Sequence, residues 1–387
     1  ALAATSIRSR GTSRRPGAAL WRSPRIMSNV RNEDILNALR TVQDPDLHRD
    51  LVSLGMIEDL RVDDGRVAFT LVLTTAACPL RENIEQDVRR AVLAVAGVHD
   101  LELTTTSRVR RPKDPTADRR ALPGVAHVIA VGAGKGGVGK STVAANLALA
   151  LAQSGARVGL LDADFYGPNL PRMLGVTDAP EPAGENTIRP VTAHGIRFIS
   201  IGLLVPEGQA VVWRGPMLHG AVKSFLTEVE WGELDYLLVD LPPGTGDVQL
   251  SLVQQTFVDG AVIVSTPSTV ALEDAAKAVD AFRKLEVPVL GMIENMSYFV
   301  CPDCHTRHAI FDTGRTEERA RALDVPYLGA IPLHPAVRRG GDEGHPVVVA
   351  EPESEYARAL LDIAGRLAQR VSIQTHGKDP AASASAG

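Results

Sequence analysis

The sequence predicts an α/β protein with a doubly wound, mostly parallel sheet, preceded by a small α+β domain. A glycine-rich stretch at 131–146 lies between a short apolar run and a helical pattern, and further strands and helices alternate over 124–371. Residues 30–108 have a separate apolar pattern, and a charged, proline-containing linker at 109–123 divides the two regions. With 387 residues and 44% hydrophobic content, the chain is long enough to bury one large core and one small core.

The glycine-rich stretch has the pattern of a phosphate-binding loop, or P-loop. Gly134, Gly139, Lys140 and Ser141 fit G-x-x-x-x-G-K-[ST], and the strand predicted at 127–131 turns into a helix N-terminus there. Glycines allow backbone conformations closed to other residues, so N–H groups can converge on phosphate oxygens beside the positive end of the helix dipole. The sequence therefore predicts a P-loop NTPase sheet. The competing interpretation is a glycine-rich turn with an exposed lysine.

Each position of this loop has an expected role. Lys140 would neutralise the β and γ phosphates of ATP, Ser141 would ligate Mg²⁺, and Thr142 would reach the α phosphate. The backbone around the phosphates would come from the preceding residues, Gly134, Lys135, Gly136, Gly137, Val138 and Gly139.

A second lysine, Lys135, is not required by the general motif. The form KGGVGKST resembles the deviant P-loop of the MinD/ParA and nitrogenase iron-protein class. That resemblance implies that Lys135 reaches across a dimer interface to the partner's nucleotide. It therefore implies a homodimer with the nucleotides between the subunits, and it makes Lys135 a catalytic candidate together with Lys140.

Two predicted strands run directly into carboxylates. The strand at 157–161 is followed by Asp162 and Asp164, and the strand at 236–239 is followed by Asp240. In a parallel α/β sheet the carboxyl ends of the strands form the ligand crevice, so these side chains are expected to converge on Mg²⁺ and the γ phosphate. Aspartates at strand ends can also be ordinary helix caps.

These runs resemble the switch I segment and the Walker B to switch II segment of the same ATPase class. The resemblance implies that Asp164 positions or activates the attacking water, that Asp240 holds Mg²⁺ through its water shell, and that Gly244 responds to the γ phosphate. Asn295 follows the strand predicted at 289–293. In the resembling class an asparagine at this strand end recognises the adenine base, which an amide can do with its paired donor and acceptor.

A C-x-x-C-H motif, Cys301 to His305, follows the Asn295 strand. Haem attachment would require export, for which the sequence has no signal, and a thioredoxin-like pair would need another context. Zinc remains open, because His305 or His308 could complete a Cys₂His₂ site. Iron–sulfur binding is the other alternative: a thiolate-held cluster needs four cysteines, and two symmetric chains would supply Cys301 and Cys304 twice.

Five segments together resemble the Mrp/ApbC family of iron–sulfur cluster carrier ATPases over residues 30–371: GKGGVGKST, DADFYGPN, DLPPGTGD, ENMSYFVCPDC and IPLHPAVRRGGDEGHP. The resemblance implies a slow, Mg²⁺-dependent ATPase that holds a labile [4Fe-4S] cluster between the subunits of a homodimer. Its partners would be apo iron–sulfur proteins and cluster-assembly scaffold proteins. No nucleic-acid or membrane partner is expected.

The small domain is predicted to contain a helix, a hairpin, a second helix and a final strand, at 32–42, 57–73, 81–95 and 99–105. DPDLHRDLVSLGMI and LTTAACPL resemble the SufT/PaaD type of domain associated with iron–sulfur assembly, which makes Asp44, Asp46 and Cys78 candidate functional positions. Pro79 could open a helix whose dipole lowers the pKa of the Cys78 thiol. The alternatives for Cys78 are a possible metal ligand and a buried structural cysteine.

Charge and cysteine content indicate the compartment. Residues 1–31 contain seven arginines and no acidic residue, so the rest of the chain carries a formal charge of −12 against −5 for the whole. That acidic body argues against general DNA binding. Three cysteines are too few for a disulfide framework. We expect a cytoplasmic protein with a start at Met27, or a mitochondrial one if the 1–29 leader, expected to be disordered, is a transit peptide.

Two other functions fit part of the pattern. A ParA/MinD-type spatial regulator would use the ATP cycle to bind DNA or membrane, but the acidic body and the cysteine pair disfavour it. A reductase like the nitrogenase iron protein would keep its cluster through turnover. The helix predicted at 353–371 has an ordinary packing pattern, and 372–387 is expected to be a disordered tail.

Overall fold

A computed structural model describes residues 30–109, 121–205, 213, 215–301, 303–304 and 306–377. The predicted leader at 1–29, most of the predicted linker at 109–123 and the end of the predicted tail lie outside these residues.

The first part of the chain is a three-stranded sheet with helices against it. Its core consists of apolar side chains from all of its main elements, among them Ile35, Phe69, Leu71 and Val88. β4 pairs antiparallel with β3 and parallel with β5, because the chain crosses over through α2 between β4 and β5. The elements are α1 (Asn32–Leu39), β1 (Gln43–Asp44), β2 (Arg49–Asp50), β3 (Ile57–Asp63), β4 (Arg66–Leu73), α2 (Arg81–Leu93) and β5 (Asp100–Ser107).

The second part alternates strands and helices. Its first half contains β6 (Val125–Gly132), α3 (Lys140–Gln153), β7 (Val158–Asp162), α4 (Leu170–Met173), β8 (Glu181–Pro182), β9 (Ile188–Arg189), β10 (Val191–Ala193), β11 (Ile196–Ser200) and α5 (Gly215–Thr227). Its second half contains β12 (Leu234–Asp240), α6 (Asp247–Gln255), β13 (Gly260–Ser265), α7 (Thr269–Lys284), β14 (Val289–Glu294), β15 (Phe299–Val300), β16 (Arg307–His308), α8 (Arg315–Ala322), β17 (Tyr327–Ala330), α9 (Pro335–Glu343), α10 (Val347–Ala350) and α11 (Glu355–Gly377).

Eight of these strands form one sheet in the order β10-β11-β7-β12-β6-β13-β14-β17. All neighbouring pairs are parallel except β10 with β11 at the edge. Apolar side chains cover both faces of the sheet and form two core clusters against the helices. The predicted α/β fold, doubly wound and mostly parallel, is confirmed. Buried, nearly continuous apolar strands are what such a sheet requires.

The segment after β4 joins the two parts of the chain. Thr75 Oγ1 lies 3.2 Å from the Tyr236 hydroxyl, and the Ser372 hydroxyl donates to Thr74 Oγ1 at 2.9 Å. The Gln369 amide also hydrogen-bonds to Asp46. Polar side chains near the end of α11 therefore hydrogen-bond to residues of the first part of the chain.

These contacts correct one expectation. The sequence predicts a disordered tail from residue 372, and this boundary is too early. The helix α11 continues to Gly377, and Ser372 and His376 are buried. Their polarity suggested a solvated tail, but both side chains lie against packed structure. Residues 378–387 lie outside the described residues.

The part of the chain that the structure describes contains no helix that is both long enough and apolar enough to cross a bilayer.

Candidate nucleotide and cysteine sites

The P-loop connects the end of β6 to the start of α3. Gly139 has φ +83°, a left-handed conformation that favours glycine, and α3 begins at the next residue, Lys140. A Cβ added at Gly134 would collide with the backbone of Asp274. The loop backbone is thus held in a turn that side chains would block, and its N–H groups precede a helix N-terminus, an arrangement suited to phosphate.

Strand register brings the predicted carboxylates together. Asp240 at the end of β12 lies opposite Asp162 at the end of β7, and Asp162 lies opposite Ser200 at the end of β11. Lys140 Nζ donates to Asp240 Oδ1 at 2.8 Å and lies 3.6 Å from Asp164 Oδ2. The structure therefore places Lys140, Asp162, Asp164 and Asp240 in one cluster at the carboxyl edge of the sheet.

The two innermost carboxyl groups are fully buried. Burial, reinforced by the neighbouring Asp240, raises the pKa of Asp162 to about 8. Asp162 accepts hydrogen bonds from the Ser200 hydroxyl at 2.9 Å and from the Asp164 N–H at 3.2 Å. Burial also raises the pKa of Asp240, with Lys140 acting in the opposite direction.

The cluster fits a hard cation. Asp240 Oδ2 is buried without a hydrogen-bond partner among the described residues, although its other oxygen is bound by Lys140. The Ser141 hydroxyl lies beside the Asp240 carboxylate and 3.1 Å from Lys140 Nζ. Carboxylate and hydroxyl oxygens of this kind are suitable Mg²⁺ ligands, so the residues present fit the ion that the motif predicts.

The remaining loop candidates lie at the same edge. Lys135, Gly136 and Gly137 are exposed. That Lys135 reaches a second subunit stays a prediction. Gly244 has φ +93° and its N–H donates to Ala133 O at 2.9 Å, so the segment after β12 is tied to the P-loop strand.

A cavity of about 310 Å³ adjoins the loop. Gly139 and Thr142 line one side of it, and Asn295, Met296 and Pro332 line another. The Asn295 amide donates to Val138 O at 2.8 Å. The predicted base-recognition residue therefore lies in the cavity wall and touches the P-loop itself.

The cysteine pair lies on a short hairpin formed by β15 and β16. Cys301 N–H donates to Thr306 O at 3.0 Å and closes the turn, and Cys304 Sγ lies 3.3 Å from Thr306 Oγ1. Hydrogen bonding with Thr306, supported by Cys301, lowers the pKa of the Cys304 thiol. Both cysteines are free, with Cys304 exposed and Cys301 half-buried. The geometry gives two accessible thiols in one turn.

The zinc alternative finds no assembled site among the described residues. They contain no group of three or more His, Cys, Asp or Glu side chains poised to hold a metal ion. His308 is exposed on β16. His305 lies outside the described residues.

Cys78 does not behave as its sequence position suggested. Burial raises the pKa of its thiol to about 11, and Asp46 and Asp44 add to the shift. The predicted lowering is wrong, because α2 begins only at Arg81 and desolvation of the thiolate outweighs the backbone hydrogen bond with Leu80.

Cys78 and the cysteine pair lie near different parts of the helix α11. The neighbouring Ala77 carbonyl packs at Gly365, whereas the hairpin contacts Glu355 through Arg307 at 2.6 Å. Ten helical residues correspond to about 15 Å along the axis. A role for Cys78 in metal binding stays a prediction.

Several site residues were missed by the sequence interpretation. The Ser200 hydroxyl donates to Asp162, and the signal that could have found it is the short segment 196–201, in which four apolar residues surround Arg197 and Ser200 as in a strand. Arg172, Met173 and His334 line the cavity. Arg172 and Met173 lie in the short helix α4, which carries no motif, and His334 lies in the segment IPLHPAVRRGGDEGHP, to which no role was assigned. The fold brings all three residues to the cavity.

Comparisons with known proteins agree with this geometry. A profile of the ParA family, described as NUBPL iron-transfer P-loop NTPase, matches residues 124–368, and one for iron–sulfur cluster assembly proteins matches residues 32–103. The iron–sulfur cluster carrier protein of Deinococcus radiodurans is 56% identical over 89% of this chain and 97% of its own length. The protein of that name from Escherichia coli K12 is 39% identical, covering 88% and 92%.

A solved structure shares the fold of the second part of the chain. The nucleotide-binding protein of Archaeoglobus fulgidus in complex with ADP is 38% identical, with a TM-score of 0.52 over 61% of this chain and 92% of that one. The P-loop, the carboxylate cluster and the match over more than half of the chain lead to one conclusion: the protein belongs to the NUBPL iron-transfer family of P-loop NTPases.

Proposed function

We propose that this protein is an ATP-hydrolysing iron–sulfur cluster carrier. Two chains would hold one labile [4Fe-4S] cluster through Cys301 and Cys304 of each subunit and transfer it to apo-proteins. The observation that carries the proposal is the pair of free thiols on an accessible hairpin that follows the nucleotide-site strand β14. The carrier names of relatives that align along nearly the whole chain support it.

Stoichiometry supports the homodimer. A cluster bound only by thiolates needs four of them, and the hairpin supplies two. A two-fold axis near the hairpin would bring four together without any other ligand. Lys135, exposed on the P-loop, would then lie close enough to the second subunit to contact its nucleotide.

ATP hydrolysis would use Lys140 and the aspartates at the carboxyl edge of the sheet. Lys140 would exchange its contact with Asp240 for the β and γ phosphates, freeing the carboxylate to face the cation. Bound Mg²⁺ would neutralise charge on the phosphates. Asp164, less buried than Asp162 and Asp240, would orient the attacking water, while Asn295 would contact the base. Hydrolysis would be slow and would depend on Mg²⁺.

We also propose the domain division, location and partners. Residues 30–108 would form a SufT/PaaD-like domain beside an ATPase domain at 124–371 extended by the end of α11. The protein would act in the cytoplasm on apo iron–sulfur proteins and scaffold proteins. The acidic net charge outside the leader disfavours nucleic acid and anionic membrane as partners.

Cluster transfer is the direct test of the carrier role. Reconstituted protein is mixed anaerobically with an apo-enzyme that requires a [4Fe-4S] cluster, and the acceptor's activity is followed with and without Mg·ATP. We expect acceptor activity to rise as the carrier loses its visible absorbance. A cluster that stays on the protein through many rounds of hydrolysis would instead indicate a reductase.

A further inference from the structure

Glu294, the last residue of β14, is a buried carboxylate that the nucleotide and cysteine chemistry does not use. Its exposed fraction is 0%, and Ser265 lies opposite it on β13. A carboxylate removed from water is costly unless hydrogen bonds or charges satisfy it. Its donors therefore show what the residue holds in place.

Three donors meet this carboxylate, and they come from both sides of the cysteine hairpin. The Ser297 hydroxyl donates to Oε1 at 2.5 Å just before the hairpin. The Gly314 N–H donates to Oε1 at 3.0 Å and the Thr316 N–H to Oε2 at 2.8 Å, both after the hairpin. One side chain thus fastens the two ends of the segment that carries Cys301 and Cys304.

The residue next to Glu294 contacts the nucleotide site. The Asn295 side chain donates to Val138 O of the P-loop, and its backbone N–H donates to Ser265 O, both at 2.8 Å. Met296, with φ +55°, turns the chain beside the cavity next to the loop. A shift of the P-loop on nucleotide binding would therefore act on the end of β14.

The hairpin and the cavity wall also share backbone hydrogen bonds. Ser297 N–H donates to Ile331 O at 3.0 Å, and Leu333 N–H donates to Tyr298 O at 2.7 Å. Leu333 lines the cavity. The base of the hairpin is thus built into the nucleotide site, and Glu294 is the charged group at that junction.

We propose that Glu294 is a positioning residue that couples nucleotide binding to the conformation of the cysteine hairpin. It touches neither nucleotide nor thiol; it holds the start and end of the hairpin at the strand end that also positions Asn295. Loss of its charge frees the hairpin from the nucleotide site while the P-loop stays intact. That the hairpin carries a cluster rests on the proposed function, but this coupling does not.

Hydrogen exchange on the full chain, without iron, tests the coupling. Exchange of peptides covering 297–316 is measured with and without saturating Mg·ADP for the wild type, Glu294→Gln and Glu355→Gln. Glu355 is the matched control because it also binds the hairpin, through Tyr298 and Arg307, but from the exposed side.

In the wild type, Mg·ADP is expected to slow exchange in these peptides by about threefold or more. Glu294→Gln should raise exchange without nucleotide and remove most of the Mg·ADP effect, with the Kd for ADP within about threefold of wild type. Glu355→Gln should keep the effect. A wild type without a nucleotide effect, or a Glu294→Gln protein that keeps it, overturns the proposal.

A loss of ADP binding by Glu294→Gln of about tenfold or more would also overturn it, because the residue would then support the nucleotide site itself. Ser297→Ala keeps the carboxylate and removes only the donor before the hairpin. It should lose part of the slowing of exchange by Mg·ADP. If Glu294→Gln does not fold, Ser297→Ala is the variant that tests the coupling. A full wild-type effect in Ser297→Ala would then contradict the coupling. Absence of iron binding would affect only the proposed function.

Discussion

The phosphate loop and the cysteine hairpin are held in opposite ways. The loop lies at the carboxyl edge of an eight-stranded sheet, and its Lys140 and Asp240 are buried. The hairpin consists of two strands of two residues each, and Cys304 is exposed. Outside its base it is fixed mainly by Glu355, whose ion pair with Arg307 is largely exposed.

This difference suits the two proposed tasks. Hydrolysis benefits from charges that are fixed before the substrate arrives, because reorganising them would cost free energy at the transition state. A cluster that must be released benefits from ligands near the surface that a second molecule can reach. The buried edge and the exposed hairpin are therefore expected to respond very differently to substitution.

Lys140→Ala is expected to have the largest effect. Removing the cation leaves Asp240 buried without its ion-pair partner and removes the phosphate contact, so ATP hydrolysis should fall by on the order of 10²–10³-fold. Phosphate release under saturating ATP measures this. Lys277→Ala is the matched control, since Lys277 forms an exposed pair with Asp274. Hydrolysis near the wild-type rate in Lys140→Ala would contradict the assignment of the loop.

Alkylation should distinguish the exposed Cys304 thiol from the half-buried Cys78 thiol. At pH 8 the Cys78 thiol, whose burial raises its pKa to about 11, has a thiolate fraction of roughly 10⁻³, whereas the pKa of Cys304 is lowered. We expect Cys304 to react with iodoacetamide about 100-fold faster or more, as followed by peptide mass spectrometry. Equal rates would mean that the Cys78 loop opens readily.

Stability should depend on pH through Asp162. Because burial raises its pKa to about 8 from an ordinary value of 3.8, the folded state binds a proton that the unfolded state has lost between these values. This group's stabilising contribution is complete below about pH 4 and decreases as the pH rises towards 8, by at most ~1.4 kcal/mol per pH unit. Asp162→Asn should flatten this dependence in nucleotide-free protein, measured by urea unfolding from pH 5 to 8. Parallel curves for variant and wild type would contradict the raised pKa.

Arg307→Gln should have the smallest effect on overall stability. The Arg307–Glu355 pair is largely exposed, so its loss should lower the free energy of unfolding by less than about 1 kcal/mol. Arg307 also lies over the Tyr298 ring, so the hairpin should loosen and Cys301 should react with iodoacetamide roughly two- to threefold faster. Arg338→Gln, which breaks the exposed pair with Asp342, serves as the control and should leave Cys301 unchanged.

The sequence was sufficient for the sheet and the phosphate loop, because both depend on local patterns. Apolar strands that end in glycine or aspartate, followed by helical spacing, predict the loop and the carboxylate edge. The clustering of Asp162 and Asp240 then follows from parallel strand register alone.

The features that could not be predicted from the sequence depend on contacts between distant segments of the chain. The sequence predicts that Ser372 belongs to a disordered tail, but its side chain is buried and hydrogen-bonds to Thr74, nearly 300 positions earlier in the chain. The thiol of Cys78 precedes a helix, which suggested a lowered pKa, yet its burial and two nearby carboxylates decide the direction. Glu294 is the first residue of the segment ENMSYFVCPDC, but the sequence does not show its role, because its donors come from both sides of the hairpin and meet it only in the folded chain.

The proposed function requires that the cysteine hairpins of two chains hold one iron–sulfur cluster. The most direct measurement is anaerobic reconstitution with ferrous iron and sulfide, followed by iron analysis and determination of the native mass. The wild type is compared with a Cys301→Ala, Cys304→Ala double variant and with Cys78→Ala. We expect about four irons per dimer in the wild type and in Cys78→Ala, and almost none in the double variant. Tightly bound zinc without iron uptake, or iron retained by the double variant, would contradict it.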